Sequence, residues 1–244
     1  LEFLGEFEWG LTIQAEEELK KFGKQSIPGL IKVASSDKEP ARQIAIALLG
    51  EMKAEEAIPV FVNFLEKDTK GEEERYFQGY CISALFDIDT EKSIKTIEEY
   101  GLKHKNPKIR YYTASKIYEL ANPIVNEEKS KYPLFEKNKE RLKVQAKEVL
   151  LELLKEPKLY SKLDIGLLLI RNKEKEGIQI LIGLLRDRKY FGEAKSWLED
   201  ITGQRFGEIP SIVSKKMLEE YIKKWEVWWE QNKDTFQFPE QDKQ

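Results

Sequence analysis

The sequence holds one histidine, His104, and one cysteine, Cys81. A thiol nucleophile needs a base within reach, yet His104 lies in the separate polar run Lys103-His104-Lys105-Asn106 and neither residue carries a local catalytic signature. Cys81, set among Tyr80, Ile82, Ala84 and Leu85, reads as a small buried apolar residue. His104 reads as an exposed loop residue. A single histidine excludes HExxH helices, His-rich zinc sites and paired His-Glu iron sites. A single cysteine excludes an intramolecular disulfide. Carboxylates are the ligands that remain, and these favour weak sites for hard ions, so no metal or cofactor is expected. The sequence lacks the G-x-x-x-x-G-K-[ST] loop that cradles phosphates. Asp87 and Asp89 flank a turn, where capping and solubility account for acidic residues. No catalytic residue is assigned, and the expectation is a protein that is not an enzyme.

Binding chemistry has more material. The formal net charge is -3, but it is unevenly spread: residues 1–102 sum to −9, residues 103–147 to +7 and residues 148–244 to −1. The basic stretch includes Lys105, Lys108, Arg110, Lys131, Lys139 and Lys143, interleaved with Tyr111, Tyr112, Tyr132 and Phe135. Charges of this kind contact phosphates, and such binding weakens steeply with salt. The alternative is a solvated lysine-rich helix. Near the C-terminus, Leu218, Tyr221, Trp225, Trp228 and Trp229 share one side of a helix. They read as a hydrophobic lid, with an aromatic platform for a ligand such as a sugar ring as the alternative.

The elements that carry these residues follow from a repeat. Apolar residues recur at offsets 0, 3, 4 and 7 in Ile27, Leu30, Ile31, Ala34; in Ile58, Phe61, Val62, Leu65; in Ala146, Val149, Leu150, Leu153; and in Ile178, Leu181, Ile182, Leu185. A weaker copy holds Ile94 and Ile97 but Glu98 and Gly101. The copies at Ile58, Ile94 and Ile178 follow an apolar helix end, a short charged turn and a small residue, and that at Ile27 repeats the small residue. The spacing is that of a helix–turn–helix repeat. It predicts first helices near 14–24, 41–53, 78–89, 108–121, 160–172 and 190–202, and second helices near 26–36, 57–67, 93–103, 137–155, 177–187 and 211–232. Between 122 and 136, two prolines interrupt the fourth pair. This segment is either functional or an insertion with Tyr132, Leu134 and Phe135 tucked against the helices. Residues 1–235 read as one domain, and 236–244 as a loose tail.

The run Pro40-Ala41-Arg42-Gln43-Ile44-Ala45-Ile46-Ala47-Leu48-Leu49-Gly50, followed by Ala57-Ile58-Pro59-Val60-Phe61, resembles a HEAT-like repeat of the type first noticed in phycobilisome lyases. The Trp-rich last helix with Asn232-Lys233 is similar to the ending of a group of bacterial HEAT-like proteins. The resemblance implies an all-α, right-handed superhelix of about six helix pairs. It also implies a concave face lined by the second helices. Some HEAT-like proteins are DNA glycosylases that use Trp and Asp in a basic groove. Trp197, Trp225 and Asp200 are present here, but no motif matches and no role is carried over.

Two rows on the second helices lie off the core stripe. One reads Val33, Phe64, Tyr100, Glu152 and Leu184; the other reads Gly29, Val60, Thr96, Glu148 and Ile180. Val60, Phe64, Thr96, Tyr100, Ile180 and Leu184 are therefore the candidate contacts of a scaffold that binds another protein. Nucleic acid, or another polyanion on the basic stretch, is the less favoured partner. No apolar run is long enough to span a bilayer. The start at Leu1 rather than Met implies processing or truncation, so a cytoplasmic location and export after loss of an N-terminal signal both stand as expectations.

Overall fold

A computed structural model describes residues 9–36, 40–67, 72–122, 131–156, 162–207 and 214–239. The described residues are all-helical, without a strand. In chain order the helices are α1 (Trp9–Phe22), α2 (Ile27–Ala34), α3 (Ala41–Glu51), α4 (Ile58–Glu66), α5 (Glu72–Ile88), α6 (Glu91–Thr96), α7 (Pro107–Ala121), α8 (Pro133–Leu153), α9 (Lys162–Arg171), α10 (Glu176–Leu184), α11 (Phe191–Thr202) and α12 (Lys215–Asn232). A π-helical segment, Ile97–Leu102, continues α6. The chain divides into two compact units, Leu1–Leu153 and Leu154–Gln244.

The same turn recurs after α3, α5 and α9. Lys53, Asp89 and Lys173 all adopt positive φ, at 54°, 50° and 61°, and each stands five residues ahead of Ile58, Ile94 or Ile178. After α3, the Ala54 N–H reaches back to the Leu49 carbonyl and the Lys53 N–H to the Gly50 carbonyl. Glu174 and Lys173 repeat the pattern onto Leu169 and Ile170 after α9. This left-handed ending satisfies the last carbonyls of the helix and reverses the chain. The small residues Ser26, Ala57, Ser93 and Gly177 and the isoleucines that follow them are all buried. Only a small side chain fits there: a Cβ on Gly177 would lie 2.6 Å from the Gly166 carbonyl oxygen.

In the first unit, α3, α5 and α7 pack in succession, and α4, α6 and α8 do the same. Leu30, Ile46, Leu49, Ile58, Phe61, Ile82, Leu85, Phe86, Ile94, Ile97, Phe135 and Leu150 fill the space between. Each such side chain contributes roughly 1.5–3 kcal/mol by leaving water. Gly50 lets α3 approach α5, since a Cβ there would meet the Ala84 Cα at 2.8 Å. Gly101 does the same for the π segment against Thr113 of α7, again at 2.8 Å. The weak third copy of the stripe thus has Gly101 in its last position for lack of room. In the second unit, α10 packs on α9, α11 and α12 around Leu181, Leu185, Leu198, Ile222 and Trp225.

Candidate functional site

His104 is buried, not exposed as its polar neighbours suggest: it retains 6% of its accessible surface. Its Nδ1 accepts the Asn106 N–H at 2.9 Å, so the proton sits on Nε2, which donates to the Leu65 carbonyl at 2.6 Å. The Gln78 amide donates to the Phe64 and Lys67 carbonyls at the same end of α4. His104 and Gln78 together therefore close the C-terminus of α4, and Asn106 caps α7 through the Lys108 N–H. Burial lowers the imidazole pKa, the charges of Lys105 and Arg110 add to this, and the bond to Leu65 opposes it. Cys81 is fully buried and burial pushes its thiol far above the usual range, which leaves it unreactive.

Asp89 does cap, but it caps a helix that begins some forty-five residues later. Asp89 accepts the Leu134 N–H at 2.9 Å and the Phe135 N–H at 2.7 Å, at the first turn of α8. Asp87 accepts the Tyr132 hydroxyl at 2.9 Å. Tyr132 and Phe135 are buried, and Phe135 packs edge-on against Phe86. The remainder of the interruption, 123–130, lies outside the described residues. Among the described residues, no group of three or more His, Cys, Asp or Glu side chains is placed to hold a metal ion.

The basic stretch is engaged within its own unit. Arg141 pairs with Glu98, Lys137 with Glu91, Lys139 with Glu136 and Lys131 with Asp87. Arg110 donates to the His104 and Lys105 carbonyls, and Lys143 lies over the Tyr118 ring. Lys105 and Lys108 are exposed on the turn into α7. The excess of acid before residue 103 and of base after it is thus partly an internal complementarity between α5–α6 and α8.

The candidate contact residues separate by burial. Val60, Phe64, Tyr100 and Ile180 are half-buried. Thr96, at 7% exposure, returns its hydroxyl to the Lys92 carbonyl, because α6 is enclosed by α4 and α8. Leu184, at 5%, belongs to the core of the second unit. Thr96 is thus enclosed, while Leu184 presents only the small remainder of its surface to a groove of its unit. Phe64 is flanked by the cations of Arg42 and Lys67. Two grooves open on second helices; Ile180 and Leu184 line one of them, while Val60, Phe64, Thr96 and Tyr100 line neither. In the first unit, a groove of about 430 Å³ is lined by Glu98, Leu102, Lys103, Arg110, Gln145 and Glu148, with Val149 and Glu152. In the second unit, one of about 680 Å³ is lined by Leu154, Lys162, Ile180, Gly183, Leu184 and Tyr190, with the turn Arg186, Asp187 and Arg188. The helix rows were legible in the sequence, but Lys103, Arg110, Lys162 and Arg188 as groove walls were not, since these come from neighbouring helices and turns.

The aromatic helix is core. Trp225 is fully buried, Tyr221 and Trp229 are buried, and Trp228 is half-buried. Phe206 and Trp228 meet Trp225 edge-on. Phe236 packs on Trp228 and Trp229, and Phe238 on Phe236, where the composition predicts a loose tail. Of the residues weighed for a basic groove, Trp225 is enclosed, while Trp197 and Asp200 are exposed on α11. Among the described residues, no helix is long and apolar enough to cross a membrane.

No known family model matches the chain, and no curated protein is similar enough to count as a relative.

Proposed function

We propose that this protein is a non-enzymatic scaffold, a HEAT-like stack of helix pairs that binds another protein along its second helices. The observation that carries the reading is the pair of grooves. In each unit, off-stripe positions of a second helix, Glu148 and Glu152 on α8 and Ile180 and Leu184 on α10, line an open groove. The core stripes of the same helices are otherwise buried, with Val149 of α8 half-buried at the groove. An open, mixed apolar and charged surface on rigid helices suits protein recognition. The inventory supports the absence of chemistry: the histidine and cysteine are buried at separate structural tasks. The ion pairs of Lys131, Lys137, Lys139 and Arg141 weaken the polyanion alternative, since paired cations release fewer counterions to a phosphate backbone.

The test uses a partner captured by the whole chain and then purified. Glu148→Lys with Glu152→Lys, both in the groove of the first unit, should reduce affinity by roughly tenfold or more, as reversing central contacts does. Lys139→Glu with Lys143→Glu should leave affinity nearly unchanged. The reverse result, together with a steep salt dependence, would establish the polyanion reading instead.

A further inference from the structure

The groove of the second unit has a chemistry of its own. Its floor is apolar, made by Ile180 and Leu184 of α10 with Leu154. Its walls carry Lys162 at the start of α9 and Arg186 and Arg188 on the turn after α10. Arg186 is held by Glu226 at 2.8 Å and has Glu219 at 3.9 Å. Lys162 and Arg188 are exposed and carry no ion pair among the described residues. The one acidic wall residue, Asp187, accepts the Lys189 N–H with its carboxylate. Gly183 leaves the middle of the floor open, since nothing lies within 4 Å of where its Cβ would be.

We infer that this groove receives an acidic linear segment of the partner protein. One apolar side chain lies over Ile180 and Leu184, and flanking carboxylates meet Lys162 and Arg188. The inference rests on the scaffold reading and names the chemistry of the partner for one of its grooves. Charge complementarity selects the occupant: the wall charges without an ion pair among the described residues, Lys162 and Arg188 against Asp187, leave a positive excess, while the floor offers uncharged contact area. A nucleic acid would satisfy the walls but leave the apolar floor unused.

The probe is a fluorescein-labelled peptide of alternating Glu and Leu, compared with an alternating Lys and Leu peptide and a single-stranded oligonucleotide of equal charge. Saturable binding of the Glu-Leu peptide alone is expected. Arg188→Glu should weaken it roughly tenfold, and added salt should do likewise. Gly183→Leu should block it by filling the floor. That second variant keeps the test valid if the first perturbs folding, because leucine is a better helix former than glycine and meets no atom near its Cβ. Three results would overturn the inference: equal binding of both peptides, binding that ignores both substitutions, or an oligonucleotide that competes as well as the peptide. Failure of the scaffold reading looks different. If the purified partner still binds the Gly183→Leu variant but not the Glu148→Lys, Glu152→Lys variant, the scaffold stands and this groove is not its acidic-segment site. If the partner ignores every one of these substitutions, the second-helix surface as a whole is wrong.

Discussion

Protonating His104 should loosen the first unit. The buried imidazole holds the end of α4 to the start of α7, and its pKa lies below the ordinary value of about 6.5. Below that ordinary value the unfolded chain takes up a proton that the folded chain resists. Stability is therefore full above about pH 6.5 and falls as pH drops from there toward the folded pKa. A proton on Nδ1 also displaces the Asn106 N–H. Urea unfolding followed from pH 7.5 to 5 should show this decline, and His104→Ala should be less stable at pH 7.5 by about 2 kcal/mol with the histidine part of the pH dependence gone. An unchanged slope in that variant would assign the decline to other groups. Asp89 makes the second prediction at this scale. Its carboxylate alone satisfies two N–H groups of α8, so Asp89→Ala should cost about 2 kcal/mol, read by thermal melting, and Asp89→Asn less. Neither role was legible in the sequence. A lone histidine in a Lys-rich run and an aspartate at a turn both look solvent-bound, because partners thirty-nine and forty-five residues away leave no local trace.

The helices themselves were legible, since most carry a 3.6-residue stripe and three of the second helices follow the same turn and small residue. All twelve expected segments correspond to helices, with ends shifted by a few residues. The assignment of exposed positions was less complete. A helical wheel separates a stripe from its flanks, but it does not record how many neighbours a helix has. Thr96 lies off the stripe and is buried because α6 is packed from two sides. Close helix approach is the other property of elements. Gly50→Ala places a methyl against the backbone of Ala84, which forces α3 from α5, and should destabilise by roughly 1–3 kcal/mol despite the higher helix propensity of alanine. A rise in melting temperature would show that the two helices have slack. In the second unit, Trp225→Ala should cost about 3–5 kcal/mol, more than Trp228→Ala, because Trp225 is enclosed by Phe206 and Trp228 while Trp228 keeps partial exposure. Equal melting of the two variants would contradict that order.

At the scale of the molecule, a strong charge asymmetry and a negative sum are reconciled by pairing within the first unit. Composition exposes the asymmetry but not the pairing, which requires α6 beside α8. Ion pairs of this exposed kind contribute little stability each, so their consequence is for recognition: they withdraw cations from any partner. What remains open on the second helices is a mixed apolar and charged surface in each unit. The most direct test of a scaffold that binds there is hydrogen–deuterium exchange of the chain alone and with its purified protein partner. Slowed exchange is expected in peptides covering 58–66, 97–103, 145–153 and 176–190, with 114–121 unchanged. Protection confined to 105–121 and 131–143, with the second-helix peptides unaffected, would contradict it.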